Sequence, residues 1–564
     1  TWQSKILRQS RQASFRLTHF QDDTLGGDHE FGAGVEYIRG LDRYGYERTD
    51  PLTWHYWNGN PYYWRGYYGI STAHPEFGDG LLQFVNCGDS PGDSEKELIV
   101  SRIGGYIQDA FTIQNRLTIN AGIRFDYYNG FMGSAATTGT SGLPLEIGNS
   151  LEPRLGFNPF GPFEMDPIKD VMVFTTWSPR VGFTYDLFGD GKTAFKAAYS
   201  RYTEQVPVWR FDSVSPGVLE NYQFNWFDLN GNGQPDSPGV DKYVPRNGLG
   251  QFTQPDRDYL ISRVDPDLHA PYYDEIIASI DHELFKDFAV KLQYLYKHGS
   301  DFHGWALYDR TTDQFWYNLD DAAQWWKPFT TTLPAYDEFP AQQVTAYFRT
   351  QDSPWNNQFF LQTNIPESKH NYHGVELSLD KRFSNGWSMG GSVVVSQHKM
   401  FTAGDSPNDF VNGYGLSNDN FYGLDQPLAI KLYGAFNLPY GFISSFYYTH
   451  SSGAPYGRTV TVVPPAEWAE ANNTLQWSEW IRVEEVDGSR RRPAFDNIDF
   501  RLEKEFIFSF GKLGMYMDIY NLLGNTYFNI GQEPGGAWQP ADENTSKGTF
   551  TPGWSYGRHL GVSA

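Results

Sequence analysis

Apolar and polar side chains alternate with a period of two along most of the chain. In the clearest run, Leu117, Ile119 and Ala121 alternate with Thr118 and Asn120. Because successive strand residues point to opposite sides of a sheet, this pattern predicts strands with one apolar and one polar face. About sixteen such segments of roughly 9–11 residues recur from end to end, the length that a tilted strand needs to cross a bilayer. The clearest cover residues 12–20, 30–39, 103–113, 117–127, 181–187, 193–202, 274–284, 288–298, 375–379, 387–398, 428–438, 442–450, 498–502 and 513–519.

The connections between these segments are of two kinds, which alternate along the chain. Short ones cover residues 114–116, 188–192, 285–287, 383–386 and 439–440. Long ones cover residues 40–102, 130–177, 204–273, 301–372 and 449–497. Such asymmetry is typical of a membrane barrel with tight periplasmic turns and long extracellular loops. We therefore predict an all-β fold, a large antiparallel transmembrane β-barrel.

Composition agrees with a barrel whose strands show only every second side chain to lipid. The mean hydropathy is −0.54, and aromatic residues make up 17% of the chain. Tyrosines such as Tyr127, Tyr202 and Tyr296 lie near predicted strand ends. Tyrosine favours the headgroup level, because its ring is apolar and its hydroxyl is polar. General β-propensity is the alternative explanation for this enrichment.

Charge and cysteine content exclude several classes of function. The net charge of −23 argues against nucleic acid, which requires clustered lysine and arginine. Cys87 is the single cysteine, so the chain has no disulfide framework. The motifs of metalloproteases, serine hydrolases and phosphate-binding loops are missing, so we expect no enzyme. The acidic excess suits a hydrated surface beside lipopolysaccharide better than a site for cationic cargo.

Several segments resemble TonB-dependent outer-membrane receptors, specifically their Oar-like branch. The resemblance lies in residues 26–31 (GGDHEF) with 34–37 (GVEY), 106–109 (YIQD) with 117–126 (LTINAGIRFD), 177–182 (WSPRVG), 498–506 (IDFRLEKEF) and 517–523 (MDIYNLL). These matches follow the order of the family and span nearly the whole chain. The resemblance implies a barrel of roughly 22 strands in the bacterial outer membrane.

The resemblance also sets an expectation for the domains. We expect residues 1–564 to be the barrel portion of a longer polypeptide. The family's lumen-filling plug and its TonB box would precede residue 1, and the last residues of the final strand would follow residue 564.

An acidic, asparagine-rich stretch fits the first nine positions of an EF-type calcium loop. Oxygen-bearing side chains recur at the ligand spacing, and a glycine stands at the sixth position. The bidentate glutamate of the twelfth position is missing, since Gly239 stands there. The predicted Ca²⁺ ligands are Asp228, Asn230, Asn232, Gln234, Asp236 and Asp241. The alternative is an Asn/Gly-rich turn that binds no ion.

Two aromatic groups stand out in the long connections. They comprise Trp54, Tyr56, Trp57, Tyr62, Tyr63 and Trp64 in the first, and Trp316, Trp325 and Trp326 in the second. One interpretation is a stacking surface that contacts sugar rings or peptide side chains of a substrate. The other, which we favour for most of these rings, is that long loops pack a small core of their own.

Taken with the resemblance, these patterns lead to a functional expectation. We expect TonB-dependent transport of a bulky substrate, such as a peptide, an oligosaccharide or a metal chelate, across the outer membrane. The alternative is a plugless channel or a structural or adhesive surface protein. Expected partners are outer-membrane lipid and lipopolysaccharide, the TonB complex through the region before residue 1, and a surface lipoprotein.

Overall fold

A computed structural model gives the fold of the chain. It describes residues 2–48, 53–54, 56–57, 60–61, 82–87, 95–133, 135–137, 163–206, 222–227, 229–230, 232, 239–240, 242–245, 262–309, 314–316, 325–333, 341–350, 360–365, 368–401, 425–455, 459–474, 479–482, 488–524, 535–539 and 549–553. In these ranges no helix is long and apolar enough to cross a membrane.

One 14-stranded antiparallel sheet forms the wall, and each strand pairs with the next one along the chain. Its strands are β1 (Trp2–Thr24), β2 (Gly27–Arg48), β3 (Glu95–Ile113), β4 (Leu117–Met132), β5 (Ile168–Asp186), β6 (Thr193–Thr203), β7 (Tyr272–Phe285), β8 (Phe288–Ser300), β9 (Lys369–Ser384), β10 (Trp387–Phe401), β11 (Leu428–Leu438), β12 (Phe442–Ser451), β13 (Phe495–Phe508) and β14 (Gly511–Ile519). This confirms the predicted large antiparallel β fold, and each segment delimited above falls within one strand, except that residues 181–187 extend one residue beyond the end of β5. The described sheet has fewer strands than the about sixteen segments estimated from the alternation pattern.

Several strands are longer on the extracellular side than the alternation predicted. β1 begins at Trp2 rather than at residue 12, and β2 continues to Arg48 rather than ending at residue 39. Likewise, β3 begins at Glu95 and β5 begins at Ile168. Beyond the lipid both faces of a strand are wet, so the apolar–polar contrast disappears while backbone pairing continues. The predicted long connections are correspondingly shorter.

The two faces of the sheet have the burial pattern expected of a membrane barrel. On the face that we call the outer face, Phe15 is 63% exposed, Val35 59% and Ile107 63%. On the opposite, inner face, the side chain of Arg102 is 12% exposed and that of Asp126 is 5% exposed. A water-soluble sheet would bury the apolar face instead, so the outer face is the one suited to lipid.

Tight turns join the strands at the periplasmic end, where the short connections were predicted. Gly26 and Gly386 adopt φ angles of 88° and 82°, a left-handed conformation that glycine adopts without a steric penalty. In the turn between β5 and β6, the Asp186 carboxylate accepts backbone hydrogen bonds from Gly189 at 3.0 Å and Gly191 at 2.9 Å. These bonds satisfy backbone donors that the hairpin leaves without strand partners.

Small sheets occupy the extracellular connections. Their strands are Thr53–Trp54, Tyr56–Trp57, Asn60–Pro61, Leu82–Cys87, Ala135–Thr137, Phe163–Met165, Tyr222–Phe227, Lys242–Pro245, Ser262–Val264, His303–Asp309, Gln314–Trp316, Trp326–Leu333, Gln342–Arg349, Phe360–Asn364, Thr459–Val462, Glu479–Arg482, Gly535–Gln539 and Thr549–Gly553. One short helix, α1 (Ala466–Ala471), and a 3₁₀ turn, Pro439–Gly441, complete the regular elements of the described ranges. Several of these sheets share a core that includes Ala346, Phe348, Val462 and Ile481.

Candidate functional site

A network of charged side chains lies on the inner face across β2, β3 and β4. Arg124 binds Asp126 through two hydrogen bonds, Nε to Oδ2 at 2.6 Å and Nη2 to Oδ1 at 2.7 Å. Arg124 Nη2 also lies 3.3 Å from Oε2 of Glu36, and Arg102 donates to the same carboxylate oxygen. A fourth contact joins Arg102 Nε to Asp126 Oδ1 at 3.7 Å. Two guanidinium groups and two carboxylates therefore neutralise one another on the wall.

Gly104 makes room for this network. The strand register places Gly104 directly between Glu36 of β2 and Asp126 of β4. A Cβ atom at Gly104 would lie 2.7 Å from Nη2 of Arg124 and would also overlap the Asp126 carboxylate. Any side chain at this position would displace the ion pairs. The glycine is thus required for close approach of side chains rather than for a turn.

A second, more cationic region lies nearer the periplasmic end of the inner face. Arg180 stands with its guanidinium carbon 5.0 Å from the centre of the Tyr202 ring. Lys196 pairs with Asp281 at 2.5 Å, and Lys291 lies on the neighbouring strand β8. Arg180, Lys196 and Lys291 border a recess of about 780 Å³ in the wall. The recess can hold water or polar groups, and it presents nitrogen donors to them.

Above the charged network, the inner face becomes apolar. Leu98, Met132 and Phe174 are each 1% exposed, in a cluster with Leu268 and Ala270 from the connection before β7. This connection thus packs onto the extracellular ends of β3, β4 and β5. The polar inner wall is therefore covered at this side by a hydrophobic core.

A histidine–aspartate contact on the outer face lies near the periplasmic turns. His29 Nδ1 is 2.8 Å from Oδ2 of Asp109, and the His29 side chain is only 6% exposed. The imidazole stacks on Phe111 at 4.1 Å and on Phe31 at 5.1 Å between ring centroids. The two phenyl rings shield a polar pair that would otherwise meet lipid, where an unpaired charge is costly.

The predicted aromatic contacts lie mostly where only the backbone is described. Trp54 pairs with Val85, and Tyr56 and Trp57 form a two-residue strand. Trp316 pairs with Leu307. Tyr62, Tyr63 and Trp64 lie outside the described residues. The structure thus brings no two of these rings together through described side chains.

Trp325 and Trp326 are the described exceptions. The Trp325 carbonyl accepts a hydrogen bond from Thr350 N at 2.8 Å, and Trp326 is 2% exposed. In this conformation the Trp326 ring is covered by protein, as a loop core requires. Beside it, burial lowers the pKa of Arg349 to about 9, and the negative charge of Glu479 opposes this shift.

The predicted calcium loop is described at only two of its ligand positions. Asn230 and Asn232 are exposed, and the Asn232 N–H donates to Oδ1 of Asn230 at 3.0 Å. Asp228, Gln234, Asp236 and Asp241 lie outside the described residues. The calcium site therefore stays a prediction.

Sequence reasoning missed the inner-face charge network, the Lys196–Asp281 pair and the His29–Asp109 contact. The even-numbered polar positions Glu36, Arg102, Arg124 and Asp126 were recognisable as inner-face residues from the period of two. Their pairing depends on the register between β2, β3 and β4, which the alternation alone does not fix.

Comparison with known proteins identifies the family. The family model described as "outer membrane beta barrel domain" matches residues 18–448. The chain is 23% identical over 294 residues to the TonB-dependent transporter Oar of Myxococcus xanthus. The aligned region covers 48% of this chain and 24% of Oar. This match confirms the resemblance to the Oar-like branch.

Two solved structures are similar to this chain at low sequence identity. The ferric citrate transporter FecA in its unliganded form has 12% identity and a TM-score of 0.45, covering 98% of this chain and 53% of that one. The siderophore receptor PirA from Acinetobacter baumannii has 10% identity and a TM-score of 0.42, covering 93% and 51%. The chain thus spans about a quarter of Oar and about half of each solved chain.

Oar is named as a transporter, in agreement with the expectation that the chain is no enzyme. The localisation follows from the matched domain and is the bacterial outer membrane. The match covers well over half of the chain, and the two-faced antiparallel sheet has the architecture that the match implies. The chain therefore belongs to the outer membrane β-barrel domain family.

Proposed function

We propose that this chain forms the barrel wall of a TonB-dependent transporter that imports a bulky substrate across the outer membrane. The observation that carries the proposal is the inner face, where Glu36, Arg102, Arg124 and Asp126 form a compensated charge network. A wall whose charges neutralise one another is compatible with a polar interior that can be packed or hydrated.

The extracellular connections supply the second support. They carry sheets with a hydrophobic core of their own, centred on residues such as Ala346 and Phe348, each 0% exposed. A preformed surface of this kind is suited to selecting a large ligand, because ordering loops on binding costs conformational entropy. Peptides, oligosaccharides and metal chelates are the substrate classes that we propose.

The match to Oar supports the link to TonB, since that protein is named as a TonB-dependent transporter. In our proposal the TonB complex engages a region outside residues 1–564. A lipoprotein over the extracellular sheets is a further proposed partner.

Intact mass, N-terminal sequencing and conductance of the polypeptide purified from its own outer membrane test this proposal. A transporter with a plug should have a mass well above 64.4 kDa and should show no steady conductance in a planar bilayer. It should also crosslink to the periplasmic domain of TonB. A mass near 64.4 kDa with steady conductance would favour a plugless channel over a transporter. Neither conductance nor TonB crosslinking would favour a structural or adhesive surface protein.

The calcium loop and the aromatic contacts belong to the same proposal. Calorimetry with CaCl₂ should detect binding to the native protein, and Asn230→Ala and Asn232→Ala should each weaken it. If the native protein gives no heat of binding, the predicted calcium site does not exist. Replacing Trp57 and Trp64 by alanine separates the two interpretations of the aromatic loop, since lower substrate uptake with an unchanged amount of folded barrel would indicate contact with the substrate. Unchanged uptake would favour a purely structural role for the aromatic loop.

A further inference from the structure

Two arginines face each other on the outer surface of the wall. Arg11 of β1 is the direct cross-strand partner of Arg39 of β2, and both side chains are exposed. Among the described residues, neither arginine has a carboxylate partner. Like charges placed directly opposite each other on a sheet destabilise it. An anion bound between the two guanidinium groups would remove this repulsion.

The position of the pair relative to the membrane follows from the strand register. We call a row the set of residues that are directly paired across neighbouring strands. The next row toward the periplasm contains Tyr37, Ile103 and Tyr127, which are 44%, 57% and 37% exposed. Exposed tyrosines at the border of an apolar belt mark the level of the lipid headgroups. Arg11 and Arg39 lie one row beyond this border, on the extracellular side. They therefore lie at the level of the outer-leaflet headgroups.

Other outer-face arginines are compensated within the protein. Arg201 binds Asp274 through Nε at 2.8 Å and Nη2 at 2.7 Å, and it also lies one row beyond the apolar belt. Arg43, four residues beyond Arg39 on the same face of β2, donates from Nε to Glu97 at 3.1 Å. The lack of a carboxylate partner thus distinguishes the row of Arg11 and Arg39.

We propose that Arg11 and Arg39 bind a phosphate group of an outer-leaflet lipid headgroup, as found in lipopolysaccharide. Guanidinium groups match phosphate oxygens in pairs of parallel hydrogen bonds, and two of them can hold one phosphate. Ser101, the next residue of the row on β3, adds a hydroxyl donor beside Arg39. This lipid site does not depend on the proposed transport function.

The test uses the full-length protein in a neutral detergent and measures lipid binding by native mass spectrometry. The probe is bis-phosphorylated lipid A, and the comparison lipid is lipid A without phosphate. We expect Arg11→Gln and Arg39→Gln each to weaken binding of the phosphorylated lipid roughly fivefold, and the double variant roughly 25-fold. Arg39→Lys should lose less than Arg39→Gln, because it keeps the charge.

Arg201→Gln is the matched control, since it removes an outer-face arginine that Asp274 already neutralises. It should leave binding of phosphorylated lipid A unchanged. Folding of every variant is checked by its heat-dependent mobility in gel electrophoresis, and the single variants suffice if the double variant does not fold. Wild-type affinity in Arg11→Gln and Arg39→Gln would overturn the proposal. So would equal binding of dephosphorylated lipid A, or equally strong competition by inorganic phosphate, which would indicate a site for free anions.

Discussion

Asp126→Asn removes one of the two carboxylates of the inner-face network without changing the size of the side chain. Asp126 accepts two hydrogen bonds from Arg124 and lies 3.7 Å from Arg102. After the substitution, Glu36 alone must neutralise both guanidinium groups. The asparagine can also present an N–H group toward a cation, which adds a repulsive contact.

The expected loss follows from the burial of the carboxylate. The side chain of Asp126 is 5% exposed, whereas that of Arg124 is 30% exposed and keeps some contact with water. Removing one partner of a fully buried pair costs about 3–5 kcal/mol. Because Arg124 is partly hydrated and Glu36 remains, we expect a loss near the lower end, about 3 kcal/mol in the free energy of unfolding.

Equilibrium unfolding in urea, with the protein held in lipid vesicles, measures this difference. Asp518→Asn provides the control, because Asp518 makes the same bidentate contact with Arg501 at 2.5 and 2.8 Å. Arg501 is 45% exposed, so solvent screens that pair and its loss should change stability little. Combining Asp126→Asn with Arg124→Gln should recover part of the lost stability, since the two residues interact directly.

Two results would refute this reasoning. Unfolding of Asp126→Asn at the wild-type urea concentration would mean that the network contributes no stability. Equal losses for Asp126→Asn and Asp518→Asn would mean that burial does not determine the strength of these pairs.

Further substitutions test three other features. Gly104→Ala should cost about 1–3 kcal/mol by displacing the charge network, whereas Gly105→Ala meets its nearest atom at 3.5 Å and should unfold like wild type; equal losses in urea would contradict this. Asp109→Ala deprives buried His29 of its partner and should cost about 1–3 kcal/mol in the same assay, while Asp109→Asn, which keeps an acceptor, should lose less; equal losses would rule out the hydrogen bond as the cause. Trp326→Ala should cost about 3–5 kcal/mol locally, seen as faster proteolysis of the extracellular sheets with unchanged barrel mobility on gels; unchanged cleavage would contradict the buried position.

The strands that cross the lipid were predictable because one face must be apolar there and the other need not be. Residues 117–127 illustrate this, since they fall inside β4 and keep their two faces along the whole segment. The extracellular extension of β1 escaped prediction for the converse reason. Above the lipid, pairing with β2 rather than side-chain contrast maintains the strand.

The candidate sites were less predictable than the fold, because they depend on contacts between distant residues. Glu36 and Arg124 are 88 positions apart, and the strand register brings them together. Trp326 shows a second limit. A tryptophan in a long connection can stack on a ligand or fill a core, and its 2% exposure became evident only from the packed sheet.

The length of β1 has a consequence for how the protein meets the cell's surroundings. Its 23 residues span about 76 Å at roughly 3.3 Å per residue, or about 58 Å of height at a tilt of about 40°. An apolar band about 25 Å tall leaves roughly 30 Å of hydrogen-bonded ribbon outside the apolar part of the bilayer. β2 pairs with β1 in antiparallel register along this part of the strand. Antibodies, phages and proteases approaching the cell can therefore reach the upper parts of β1 and β2, and protease treatment of intact cells should cut there while the part in lipid stays whole.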